Sequence, residues 1–214
     1  MNYSRQRIVS VLVITACLVA GLSACVPMVL GGAVIGTLVA TDRRTSGTQL
    51  EDEGIERKSA ARIRENLGDR VHVNINSYNR RVLLTGEVAS EQDHQLVEQL
   101  VSRVENVVSV INELSVLGNA TLTQRSSDSL VTTRVKASLV DAKDLYANAF
   151  KVVTERGTTY LLGRVTQREA DRASEIVRSV SGVQKVVRVF EIINEDELRE
   201  LLPQPAPDQT KTKM

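Results

Sequence analysis

The side chains that could do chemistry are few, and their positions close off several classes of reaction. Only two cysteines occur in 214 residues, Cys17 and Cys25, both near the start. The rest of the chain therefore offers no thiol for nucleophilic catalysis, a disulfide or a zinc site. The only histidines are His72, inside an alternating strand pattern, and His94, near a helix start. Neither stands at metal-ligand or catalytic-triad spacing from a partner, so each reads as an ordinary surface or strand residue. The run Glu51-Asp52-Glu53 reads as the start of a helix, where negative charge offsets the helix dipole. Ser126-Ser127-Asp128-Ser129 reads as the N-cap region of another helix, not a nucleophile elbow, and no phosphate-binding glycine loop appears. The expectation is a non-enzyme with no metal and no cofactor.

Cys25 is the exception, because its neighbours supply a different chemistry. Arg5 and Arg7 precede an apolar run from Ile8 to Leu22, the order of charged and hydrophobic regions in a signal peptide. The run ends at Leu22-Ser23-Ala24-Cys25, which resembles the bacterial lipobox at all four positions. That resemblance implies diacylglycerol on the Cys25 sulfur, removal of residues 1–24 and acylation of the new amine, with palmitate a typical chain. Three acyl chains anchor firmly, since each buried CH₂ contributes about 0.8 kcal/mol. A transmembrane helix is the alternative, but it needs roughly 20 uninterrupted apolar residues, and Pro27 follows closely. Val26 stands where an inner-membrane retention signal would have Asp, so the expected address is the outer membrane, periplasmic face, lipid-anchored.

Behind the anchor, residues 25–50 read as a tether, apolar and glycine-containing before turning polar at Thr41. At the other end, Pro203, Pro205 and Pro207 make residues 194–214 read as a disordered tail. Apolar residues make up 42% of the chain but aromatics only 3%, so the cores between must be built of Val, Leu and Ile.

A repeat organises that middle region. The first copy alternates through Val71-His-Val-Asn-Ile-Asn, turns near Asn79 and returns through Val82 to Val88; the second runs from Phe150, turns at Glu155-Arg-Gly157 and returns through Tyr160 to Val165. Each is a predicted β-hairpin. A helical pattern follows each, through Leu96, Val97, Leu100, Val101 and Val104 or Ala173, Ile176, Val177 and Val180, and then Asn106 or Gly182 suits a left-handed cap. A valine strand comes next, 107–114 or 183–193, and a further helix precedes each hairpin, 55–67 and 128–140. The reading is two tandem αββαβ units of α+β class, each a small mixed three-stranded sheet with two helices on one face and the third strand parallel to the second. Strand order and the packing between units stay open. The domains are placed at 51–117 and 128–193, joined by a linker at 118–127.

The hairpin ending in hydrophobic-x-Gly-x-Val, followed by a helix and Val-x-(Gly/Asn)-Val, resembles the BON domain. Here it reads Leu84-Thr85-Gly86-Glu87-Val88 with Val104-Glu105-Asn106-Val107, and Leu161-Leu162-Gly163-Arg164-Val165 with Val180-Ser181-Gly182-Val183. Two copies behind a lipobox resemble the dual-BON outer-membrane lipoproteins. The resemblance implies a role in outer-membrane integrity and binding of anionic phospholipid by the first helix of the second domain.

Charge agrees with that implication: residues 51–117 carry net −4 and residues 128–193 net +3. Nucleic acid is a poor partner for an exported chain with almost no aromatic stacking residues. On the second domain's first helix, Val131, Val135 and Leu139 form the core-facing stripe, and Leu130 lies about 140° from its centre. Leu130 with Thr133, Arg134, Lys136 and Ala137 is the expected phospholipid contact, at a position that in the resembled family holds a membrane-inserting aromatic. The alternative is a non-catalytic adaptor that binds peptidoglycan or envelope proteins, such as outer-membrane assembly or cell-division proteins.

Overall fold

The structure, a computed structural model, describes residues 42–118 and 120–201. Cys25 and its lipobox, the tether through residue 41 and the tail beyond Leu201 lie outside the described residues.

The first copy runs α1 (Ser46–Leu67), β1 (His72–Tyr78), β2 (Arg81–Val88), α2 (Glu91–Ser102), β3 (Ser109–Asn112) and β4 (Ser115–Val116). The second runs α3 (Leu122–Asp141), β5 (Lys151–Glu155), β6 (Thr158–Val165), α4 (Gln167–Arg178) and β7 (Lys185–Ile192), followed by α5 (Glu195–Leu201). Each hairpin is antiparallel, and the third strand lies parallel to the second, which is central: β1-β2-β3 and β5-β6-β7. In the first copy the third strand is broken. The Asn112 side chain accepts from the Leu114 amide at 3.2 Å, and the ladder resumes at β4, so this sheet has four strand segments against three in the other.

Both α1 and α3 begin earlier than expected, because threonine, not the downstream acidic or serine clusters, caps them. Thr45 accepts from the Thr48 amide and Thr121 from the Gln124 amide. Residues 46–50 of the expected tether and 122–127 of the expected linker are thus helical, and Asp52 and Asp128 sit inside helices. Neither is a dipole or capping residue. Both are buried and turned to the hairpin beside them: Asp52 accepts from the Asn79 and Arg80 amides at 2.9 and 2.8 Å, Asp128 from the Arg156 and Gly157 amides at 2.9 and 3.0 Å. The two central turn residues have positive φ in both copies, 50° and 64°, then 48° and 73°. Such turns normally use Asn-Gly or Gly-Gly, and here a buried carboxylate holds Arg80 and Arg156 in the strained region.

The expected tail also starts later. Asn194 caps α5 by accepting from the Asp196 and Glu197 amides, and Leu198 on that helix is buried. An apolar side chain with a place to dock keeps the chain helical through Leu201.

Gly86 and Gly163 explain the hydrophobic-x-Gly-x-Val pattern. A Cβ on Gly86 would strike the backbone carbonyl of His72, and one on Gly163 that of Ala149, so any other residue would push the neighbouring segment away.

One face of each sheet carries that domain's two helices and its own core. Ile55, Ile63, Val82, Leu84, Val97 and Val101 fill the first; Val131, Val135, Leu139, Leu161, Ala173 and Val177 fill the second. The opposite faces meet each other. Tyr78 and Leu83 of the first domain pack with Tyr160 and Leu162 of the second, flanked by Ile111, Val153, Val187 and Val189. The alternation is visible in consecutive residues, since Leu161 faces the helices while Tyr160 and Leu162 face the other domain. Polar contacts rim this seam: Lys151 to Glu56 at 2.8 Å, Asn74 to Glu155 at 2.8 Å, Asn79 to Glu191 at 2.6 Å and Arg156 to Glu87 at 2.8 Å.

Candidate functional surface

Helix α3 buries one face and leaves the opposite one bare. Asp128, Val131, Val135 and Leu139 point into the domain. At about 100° per residue, Leu122, Ser126, Leu130, Thr133, Ala137 and Val140 come round to the far side. There Leu122 is 81% exposed, Leu130 59% and Val140 68%. Thr133, Arg134, Lys136 and Ala137 are exposed as well. Arg134 and Lys136 fall on opposite flanks of the apolar row, and one Arg134 nitrogen reaches the Ser181 carbonyl at 3.4 Å, leaving the rest of its guanidinium free for a further acceptor. From Leu122 to Val140 the row is about 27 Å long. Asp141 closes it with a negative charge.

Leu122 and Val140 were not among the residues expected from the sequence. Leu122 fell in the presumed linker, and only the cap at Thr121 makes it helical. Val140 lay at the end of the expected helix, where the same period that exposes Leu130 already turns it outward; Leu122 follows that period only once the helix is capped at Thr121.

The histidines and several buried carboxylates elsewhere are engaged in structural contacts. His72 Nδ1 lies 3.1 Å from Glu87, whose carboxylate also takes the Arg156 guanidinium. Burial pushes the Glu87 pKa up, but the hydrogen bonds from Arg156, the Ala120 amide and His72 outweigh it and hold the group below its ordinary value. His94 lies beside Asn112. At the seam, a pocket of about 230 Å³ is lined by His72, Asn74, Arg125, Asp128 and Glu155 among others, but Asp128 is taken by the hairpin amides and Glu155 by Asn74. Among the described residues, no group of three His, Cys, Asp or Glu could hold a metal ion. Among them also, no helix is long and apolar enough to cross a membrane.

The BON domain family model matches twice, over residues 51–118 and 127–194. The chain belongs to the BON-domain family. Its relatives include the outer membrane lipoprotein DolP of Haemophilus influenzae, 38% identical over 81% of this chain and 91% of that one. A 21 kDa hemolysin of Actinobacillus pleuropneumoniae is 32% identical over 71% of this chain and 79% of its own length. Osmotically-inducible protein Y of Escherichia coli is 26% identical over 71% and 77%. The two BON matches include both hairpin-glycine motifs and both buried aspartates, and the bare face of α3 falls largely within the second.

Proposed function

We propose that this protein is an outer-membrane envelope lipoprotein, held on the periplasmic side by acyl chains on Cys25, whose second BON domain binds anionic phospholipid and thereby supports outer-membrane integrity. The protein is non-catalytic in this reading. The anchoring rests on the lipobox residues Leu22-Ser23-Ala24-Cys25 and on relatedness to a protein named as an outer membrane lipoprotein. The lipid contact rests on one observation: α3 presents Leu122, Leu130 and Val140 as an exposed apolar row flanked by Arg134 and Lys136. A helix lying on a bilayer needs that arrangement, apolar side chains in the acyl boundary and cations at the phosphates. Thr133 and Ala137 between them are small enough to let the row approach closely.

Each near-surface cation contributes about 1 kcal/mol, weakened by salt. Asp141 opposes anionic lipid, so the contact is modest by itself and works beside a covalent anchor. The test uses unlipidated protein on vesicles with and without anionic lipid. Leu130→Glu is expected to abolish binding while the fold, followed by circular dichroism, is kept. Unchanged binding would move the function to an adaptor for envelope proteins or peptidoglycan. Anchoring is tested apart from this: Cys25→Ser should leave a longer, unlipidated precursor, and normal processing of that variant would refute it.

A further inference from the structure

The residues just before α1 make contacts out of keeping with a tether. Arg43 is buried, 5% exposed, and reaches into the second domain rather than the first. Its guanidinium makes a two-pronged pair with Glu169 at 2.7 and 2.8 Å and donates to the Arg164 carbonyl at 2.8 Å. Glu169 is itself buried and caps α4 by accepting from the Thr166 amide at 2.9 Å. Burial alone would raise the Glu169 pKa, but the bonds from Arg43 and the Thr166 amide outweigh it and hold the carboxyl low.

Arg44, the next residue, turns to the first domain. It donates to Asp52 at 2.9 Å and lies over the Tyr78 ring, 4.2 Å from its centre. Asp52 is the carboxylate that holds the first hairpin turn, and Tyr78 belongs to the core shared by the two sheets. Asp42 shapes the turn between the arginines by accepting from the Arg44 amide and guanidinium at 2.7 to 3.1 Å.

We infer that Asp42-Arg43-Arg44 is a clamp that locks the two domains together at the root of the tether, one arginine seated in each. A segment that precedes the first domain in sequence is thereby gripped by the second. A pull from the anchor therefore acts on both domains at once, and the orientation of α3 relative to the root of the tether is set by the clamp. Two features favour a clamp over incidental salt bridges. A planar guanidinium engages both oxygens of the Glu169 carboxylate through two nitrogens while still donating to the Arg164 carbonyl, a fork that the single nitrogen of an ammonium cannot form, and a buried carboxylate left without its partner is costly. The clamp does not depend on what α3 binds.

The test is the distance between the domains in the full-length protein. Nitroxide side chains are introduced as unnatural residues at the exposed positions of Gln99 on α2 and Glu175 on α4, so the native cysteines are untouched. Pulsed electron resonance should give one narrow distance for the otherwise unaltered chain. Arg43→Gln should broaden it and shift it outward, with secondary structure retained, and Arg43→Lys should fall between. If Arg43→Gln fails to fold, the pair Arg43→Gln with Glu169→Gln removes the stranded charge while keeping a capping side chain, and the same broadening is expected. A narrow, unshifted distance in the folded single or paired variant would overturn the clamp. Loss of vesicle binding by Leu130→Glu would leave this distance unchanged, so the two readings fail separately.

Discussion

The two domains share a plan and differ on the face they show to their surroundings. Asp52, Ile55, Ser59 and Ile63 of α1 correspond to Asp128, Val131, Val135 and Leu139 of α3, each 76 residues on, and all eight are buried. The outer faces diverge under the same spacing. Leu122, Leu130, Thr133 and Val140 stand where the first domain has Ser46, Gly54, Arg57 and Arg64. Only Leu50, 66% exposed, is a large apolar residue on the outside of α1. The duplicated fold constrains the inward residues of both copies, because these hold the hairpin and fill the core. Nothing in the fold requires an apolar row outside α3, and in α1 the same positions are mostly polar, small or charged. The difference is in keeping with the lipid contact proposed for α3.

The largest way to break the shared plan is at the buried aspartates. Asp52→Ala should cost about 3–5 kcal/mol in denaturant unfolding, because it orphans two turn amides and Ser77 Oγ together and takes from Arg44 one of its two carboxylate partners. Asp128→Ala should cost less, about 2–3 kcal/mol, since it leaves two amides and Gln124. Equal losses would mean that the extra partners of Asp52 contribute nothing.

Acid should act next. Asp52, Glu87 and Glu169 are all held below their ordinary values, so the stability they contribute is present above the unfolded carboxylate pKa of about 4 and is lost as pH falls through the lower folded values. Glu155 has the opposite sign. Burial, with Glu87 and Asp128 nearby, raises its pKa despite the bond from Asn74, so its charged form opposes folding at neutral pH. Glu155→Gln should raise stability at pH 7, and the gain should vanish below about pH 4. A gain independent of pH would contradict this assignment.

Smaller effects should separate the copies at the left-handed position before the third strand. Gly182 has φ 99°, and a Cβ there would meet a Val131 methyl, so Gly182→Asn should cost about 1–3 kcal/mol. Asn106 fills the equivalent place at φ 68°, and Asn106→Gly should be near neutral or stabilise by about 0.5 kcal/mol. Thermal unfolding of the two variants checks both signs.

Much of this was legible beforehand, for physical reasons. Alternation reports strands and the 3.6-residue period reports helices, so the two αββαβ units and the inward stripe of α3 could be read from single residues. The helix starts could not. Thr45 caps with only Ser and Gly directly after it, and Leu122, which follows the Thr121 cap, lies off the inward stripe, whereas the acidic and serine clusters at 51–53 and 126–129 look like caps and are helix interior. The misplacement hid Leu122 and disguised Asp52 and Asp128, although the same residue type 76 positions apart in a duplicated chain was a usable signal. The sheet-to-sheet seam was hidden because strands buried on both faces, such as Val82 to Val88, lose the clean alternation of a one-sided sheet. Arg43 gave no local sign, since its partner Glu169 lies 126 residues away.

The contrast between α1 and α3 is tested most directly by depth in a bilayer. A nitroxide is attached at Leu130→Cys or at the matching Gly54→Cys, in unlipidated protein that begins after Cys25 and so has no other thiol. On vesicles containing anionic phospholipid, the label at 130 should become accessible to dissolved oxygen and shielded from aqueous nickel, while the label at 54 stays in water. Both labels remaining in water, with the protein folded, would contradict the assignment of α3 as the lipid-binding face.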